Sequence, residues 1–204
     1  MRFSIISEIP GRTRLQLAGP VPESDLDALL KLSGEIDGVR KVRVYGRIGQ
    51  MALEYDEQRR ASVLDAFAGS GALGLELLSR GAAHATFVDL DRGACARVRR
   101  NAATLGAASS RFSVTRGDSC RLAAAGSLAG APFDIVVLDP PYATAVDVVS
   151  GLVEALDARG LLAAGALVLY ERSASRPTIC PSGFVALKQK RYGQTAVDLL
   201  GRQG

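Results

Sequence analysis

Tryptophan is absent from the 204 residues, histidine occurs once, at His84, and aromatic residues make up only 5%. A lone histidine excludes multi-histidine metal centres and leaves Ser-His-Asp hydrolysis without support. Cys95, Cys120 and Cys180 are odd in number and widely separated, so neither a disulfide framework nor a zinc cluster is indicated and no metal is expected. No apolar run reaches the roughly 18 residues of a membrane span, and the N-terminus lacks the apolar core of a secretory signal. A cytoplasmic protein without membrane association is expected. Internal repeats and low-complexity tails are missing as well.

What remains is 48% hydrophobic, rich in alanine, and long enough to bury a full core. From about residue 62 onward, short apolar runs alternate with helical patterns, which predicts an α/β fold. Val63 to Phe67 reads as a buried strand, and Ala72 to Arg80 as a helix with Leu73, Leu77 and Leu78 on one face. Strands are predicted at Ala85 to Val88, opened by His84, and at Phe112 to Thr115, with a helix over Arg92 to Leu105 between them. Ser119 to Gly130 reads as a short helix or loop, and Phe133 to Leu138 as a strand. A helix over Val146 to Ala158 turns Val149, Leu152, Val153 and Leu156 inward. A strand over Leu161 to Tyr170 follows, and residues 184–188 and 192–200 form a closing hairpin.

The first strand runs into Asp65-Ala66-Phe67-Ala68-Gly69-Ser70-Gly71. Gly69, Gly71 and Gly74 fit G-x-G-x-x-G, which allows a tight turn, close approach of a ligand to backbone, and close helix packing. The next strand ends in Asp89, where a carboxylate could accept both ribose hydroxyls of an adenosine cofactor. That much suits NAD and S-adenosylmethionine equally. Asp65 separates them: ahead of the turn it would repel a pyrophosphate but attract the amino group of a methionine tail. Asp118, in Gly117-Asp118-Ser119, could receive an adenine amino group or simply cap a helix.

Asp139-Pro140-Pro141-Tyr142 closes the apolar run Phe133 to Leu138. This pairing with the glycine turn points to methyl transfer onto an exocyclic amine. Such an amine shares its lone pair with the ring and is a poor nucleophile. Asp139 can accept one N–H and the Pro140 carbonyl the other, drawing the nitrogen toward tetrahedral geometry. Successive prolines fix φ and remove backbone donors, and Tyr142 offers a face on which an extruded base can stack.

On these residues the segment from 62 to about 200 resembles the bacterial 16S rRNA guanine-N2 methyltransferases. Val63 to Glu76, Leu78-Ser79-Arg80-Gly81-Ala82, Phe87-Val88-Asp89, Asn101, Phe133 to Tyr142 and Lys190-Arg191-Tyr192-Gly193 carry the resemblance. It implies a class I, Rossmann-like fold with a mostly parallel seven-stranded sheet, S-adenosylmethionine as donor, and small-subunit rRNA or the 30S particle as partner. Cofactor contacts would come from Asp65, Phe67, Gly69, Ser70, Gly71, Asp89, Asp118 and Ser119. Asp139, Pro140 and Tyr142 would hold the base. DNA amino-methylation and a non-catalytic binding protein remain alternatives.

The first sixty residues have a different pattern. Arg12 to Leu17 alternates as a strand, and Glu23 to Gly38 reads as a helix. Strands at Val39 to Tyr45 and Met51 to Tyr55 flank a turn at Gly46 to Gly49. This β-α-β-β order is most of a ferredoxin-like unit. With Ile9-Pro10-Gly11-Arg12-Thr13-Arg14-Leu15, Gly38 to Val44 and Leu53 to Asp56, it resembles a heavy-metal-associated domain. Where such domains carry Cys-x-x-Cys, Ala18 to Glu23 has no cysteine. Soft-metal binding is therefore not expected, and the unit's final helix and strand are lacking. Two domains follow from this reading, 1–57 and 58–204.

The net charge of +4 and pI near 9.2 permit an anionic partner. Arg12, Arg14, Arg40, Arg43 and Arg47 form one basic group, and Lys188, Lys190 and Arg191 form another. The resemblance puts the strand that carries the second group beside the target pocket.

Overall fold

The structure, a computed structural model, describes residues 61–203 together with the backbone of four strands within the first sixty residues. The chain divides into two compact units, Met1–Arg60 and Ala61–Gly204.

In the first unit, β1 (Ser4–Ile9), β2 (Arg12–Gln16), β3 (Val39–Tyr45) and β4 (Gln50–Tyr55) form an antiparallel sheet in the order β1-β2-β4-β3. The pairings β2–β4 and β4–β3 are those of a ferredoxin-like unit. The sequence reading missed β1. It pairs with β2 through Ile9↔Arg12 and occupies the edge that a final strand would have filled. A register shift between Ile5 and Ser7 breaks the two-residue alternation by which strands are recognised. The helix expected over Glu23 to Gly38, the segment Ala18 to Glu23 and the turn at Gly46 to Gly49 lie outside the described residues.

The second unit is built on a seven-stranded sheet, ordered β10-β11-β9-β8-β5-β6-β7. Its elements are β5 (Ser62–Asp65), α1 (Ala72–Ser79), β6 (His84–Asp89), α2 (Arg92–Thr104), β7 (Phe112–Arg116), α3 (Ser119–Ala125), β8 (Phe133–Leu138), α4 (Val146–Ala158), β9 (Leu162–Ser173), β10 (Phe184–Tyr192) and β11 (Thr195–Arg202). Five neighbouring strands, β9, β8, β5, β6 and β7, are parallel; β11 runs against both β9 and β10.

Strand alternation sorts the core into two layers. Leu75, Leu78 and Val98 pack with Val63, Ala85 and Phe87 on one face of the sheet. Leu64, Val88, Val136 and Leu138 meet Val149, Leu152, Val153 and Leu156 of α4 on the other. The chain moves outward from β5 to β6 and β7, then returns to β8 and β9 on the opposite side. Such a reversal opens a crevice at the carboxyl ends of the strands.

Several boundaries differ from the sequence reading. On α1 the buried residues are Gly74, Leu75 and Leu78, not Leu73, which is exposed. A glycine is invisible to apolar periodicity, yet a Cβ at Gly74 would come within 2.4 Å of Phe87 Cε1. That close approach sets which face of α1 turns inward. The closing hairpin turns at Gly193 and Gln194, several residues later than expected, with Gly193 at φ +61°. Strand β9 continues to Ser173 because β11 pairs with it as far as Thr195↔Ser173. Among the described residues, no helix is long and apolar enough to cross a membrane.

Candidate active site

The crevice is a cavity of about 770 Å³ at the ends of β5, β6, β7 and β8. Its floor is the glycine turn after β5. Ala68 N–H donates to the Val88 carbonyl at 3.0 Å and Gly71 N–H to that of Ala68 at 2.6 Å. Gly69 and Gly71 hold φ of +54° and +78°, the left-handed region that favours glycine. Asn101 Nδ2, on α2, donates to the Ser70 carbonyl at 2.8 Å, and the buried Ser119 hydroxyl donates to the Ala66 carbonyl. Asn101 and Ser119 therefore act first on the loop's shape.

Each acidic residue around this floor has a distinct setting. Asp65 is buried, and its Oδ2 accepts from Gly74 N–H at 3.1 Å. Burial pushes its carboxyl up to about 7 against that hydrogen bond, and the charges of Asp139 and Asp89 push the same way. Asp89 accepts from Gly69 N–H through Oδ2 and from Asp91 N–H through Oδ1, both at 2.8 Å. Each of its oxygens retains a lone pair for a ligand. Asp118 caps α3, accepting from Cys120 and Arg121 N–H, and both bonds end on Oδ1. The capping role anticipated for Asp118 is thus present, and Asp118 also lines the cavity.

Asp139, Pro140 and Pro141 follow β8 and line the same cavity, as does Tyr142, 60% exposed at its mouth. Partial burial raises the Asp139 carboxyl above its ordinary range. Thr144 N–H donates to the Pro141 carbonyl at 2.8 Å, closing a turn around Tyr142. Arg176 Nη1 then donates to the Thr144 carbonyl at 2.6 Å. Arg172 holds the Arg176 carbonyl and pairs through Nε with Asp198 Oδ2 at 2.6 Å, with Asp198 fully buried. The turn bearing Tyr142 is therefore tied to β9 and β11.

Ten of the eleven residues expected to form the site line this cavity; Gly71 does not, and stands at the N-cap of α1 with Val98 and Leu75 packed against it. Sequence reasoning missed Glu171 on β9, Leu73, Leu90 and Val148, which also line it. Leu90 and Val148 are exposed, and single apolar residues in loops or on helix surfaces carry no periodic signal. Burial, then the charge of Asp139, raises the Glu171 carboxyl. Lys188, Lys190 and Arg191 lie on β10, the outermost strand, and none of them lines the cavity. The β10–β11 turn meets the end of β9, where Ala174 N–H donates to the Gln194 carbonyl at 2.8 Å.

Six carboxylates line the cavity, those of Asp65, Asp89, Asp91, Asp118, Asp139 and Glu171, and no basic side chain among the described residues does. A pyrophosphate would be repelled here, whereas a ligand bearing a sulfonium and an ammonium would be attracted. The donor set fits a methionine-derived cation and disfavours a dinucleotide.

Comparison with known proteins agrees with this chemistry. The family model described as Conserved hypothetical protein 95 matches residues 42–201, beginning within β3 and so extending upstream of the resemblance read from the glycine turn. Ribosomal RNA small subunit methyltransferase D of Escherichia coli is 37% identical over 145 residues, covering 70% of this chain and 69% of that protein. The protein of the same name from Haemophilus influenzae is 33% identical over 135 residues, covering 66% and 68%. A conserved hypothetical protein from Streptococcus pyogenes superimposes with a TM-score of 0.64 at 32% identity, covering 71% of this chain and 88% of that one. The sheet order and the crevice are those of the class I S-adenosylmethionine-dependent methyltransferases, and the chain belongs to the Conserved hypothetical protein 95 family of such enzymes.

Proposed function

We propose that the protein transfers a methyl group from S-adenosylmethionine to N2 of a guanine in small-subunit ribosomal RNA. The observation that carries this reading is that Asp139-Pro140 and the glycine turn open onto one acidic cavity. The names of the Escherichia coli and Haemophilus influenzae relatives support the RNA substrate.

S-adenosylmethionine supplies an electrophilic methyl on a positively charged sulfur. Asp65, at the base of the cavity, balances the ammonium of the methionine tail. Asp89 accepts the ribose hydroxyls through its remaining lone pairs, and Asp118 accepts from the adenine amine. Gly69 and Gly71 let the backbone come close, while Phe67, Ser70 and Ser119 hold the loop's form. Asp139 and the Pro140 carbonyl accept the two N–H groups of guanine N2, and Tyr142 stacks on the ring. Asp139, with its raised pKa, also suits the role of taking the proton released when N2 becomes alkylated.

The test is methylation of small-subunit rRNA, free and assembled, from cells lacking the modification, followed by nucleoside digestion. N2-methylguanosine is expected with the unaltered chain. Asp139→Ala should lower transfer by at least about a hundredfold, the usual scale for losing a group aimed at the transition state. Cofactor affinity should change little. Label in another nucleoside, or retained turnover in Asp139→Ala, would refute the assignment; cofactor binding without transfer to any RNA would favour a binding protein instead.

A further inference from the structure

The cavity runs along the carboxyl ends of the strands. Cofactor-side residues end or follow β5, β6 and β7, while Asp139 follows β8 and Glu171 lies on β9, the next strand outward. Strands β8 and β9 are parallel and paired at Leu138↔Tyr170, so Asp139 and Glu171 are the next residues along at the same end of the sheet. Glu171 also borders the smaller recess beside Pro140, Pro141 and Tyr142. Its carboxylate accepts no hydrogen bond and makes no ion pair with a described residue, while its neighbour Arg172 is anchored on Asp198. A fixed backbone thus carries an acceptor that faces the cavity mouth without a described protein donor.

Guanine presents three N–H groups on its Watson–Crick edge, two on N2 and one on N1. Asp139 and the Pro140 carbonyl account for the pair on N2. The N1–H, taken out of water with the base, still needs an acceptor, because a buried donor left unpaired is costly. Adenine N1 and cytosine N3 are acceptors at the equivalent place and would meet a carboxylate lone pair to lone pair. We infer that Glu171 is the residue that selects guanine, by accepting its N1–H alongside Asp139. This rests on the function proposed above and extends it to base selection.

The test compares the unaltered chain and Glu171→Gln on small-subunit rRNA carrying either guanine or 2-aminopurine at the modified position. 2-Aminopurine keeps the N2 amine but has no hydrogen on N1. The unaltered chain should lose roughly ten- to a hundredfold in kcat/KM on 2-aminopurine, the scale of one buried hydrogen bond to a charged group. Glu171→Gln keeps a carbonyl oxygen for guanine N1–H and adds an amide donor for the bare N1 of 2-aminopurine, so it should discriminate the two bases at least about tenfold less than the unaltered chain. Its affinity for S-adenosylmethionine, measured calorimetrically, should stay within about twofold, because Glu171 lies on the base side of Asp139. Discrimination unchanged in Glu171→Gln, or none in the unaltered chain, would overturn the inference while leaving the methyltransferase reading intact. Failure of the unaltered chain to methylate guanine would refute both.

Discussion

Asp65 shows how one buried carboxyl couples stability to ligand binding. With a folded pKa near 7 against an ordinary 3.8, it holds its proton in the native state over a range where the unfolded chain has lost it. Its contribution to stability is complete below about pH 4 and is lost as pH rises through about 7. Asp65→Asn keeps the shape without the ionisation. The unfolding temperature of this variant should gain on that of the parent between pH 5 and 8, which thermal melts across that range would read. Binding of a cationic cofactor reverses the balance by favouring the ionised form. Titration near pH 6.5 should therefore release protons, giving a binding enthalpy that depends on the buffer's ionisation enthalpy, and affinity should level off above pH 7. A buffer-independent enthalpy would place the ammonium elsewhere.

Among the elements, β9 connects the core to the chemistry. Its inner residues pair with β8, and its end carries Glu171 and the Arg172–Asp198 ion pair. Arg172→Leu would leave Asp198 buried without its partner, a loss of about 3–5 kcal/mol. The double variant Arg172→Leu, Asp198→Leu should recover most of that stability in denaturant melts. Turnover should stay impaired in the double variant, because the Arg176 carbonyl is no longer held and the turn around Tyr142 loosens. The sequence made the parallel elements readable because both faces of each strand are buried: Val63-Leu64 and Ile135-Val136-Val137 are nearly continuous apolar runs. It was less informative at β9 and β10, whose ends are set by cross-strand pairing. Glu171 carried no signal at all, because its place in the site depends on the alignment of β8 with β9, which no local pattern records.

At the scale of the whole molecule, charge is separated. Residues 61–204 contain fifteen basic and twelve acidic side chains, and six of the twelve line the cavity. The remainder of that unit therefore carries fifteen basic against six acidic groups. Binding to small-subunit rRNA should weaken at least about tenfold between roughly 50 and 200 mM monovalent salt, the loss expected from two or more phosphate contacts. Filter binding across that range would show it, and a flat dependence would remove the basic exterior from the account. Composition alone gave only the modest excess of +4, since opposite charges cancel in a sum whatever their positions. Similarly, the order of strands in Met1–Arg60 was legible from β2 onward, but the added hairpin strand β1 was hidden by its bulge.

The acidic cavity within this basic exterior acts as a sieve for charge. Under the proposed function a phosphodiester would be drawn to the surface and turned back at the mouth, while an uncharged base could pass. Nucleic acid would then enter one base at a time with its backbone outside, and a nucleotide free to swing out of its helix would be modified more readily than a paired one.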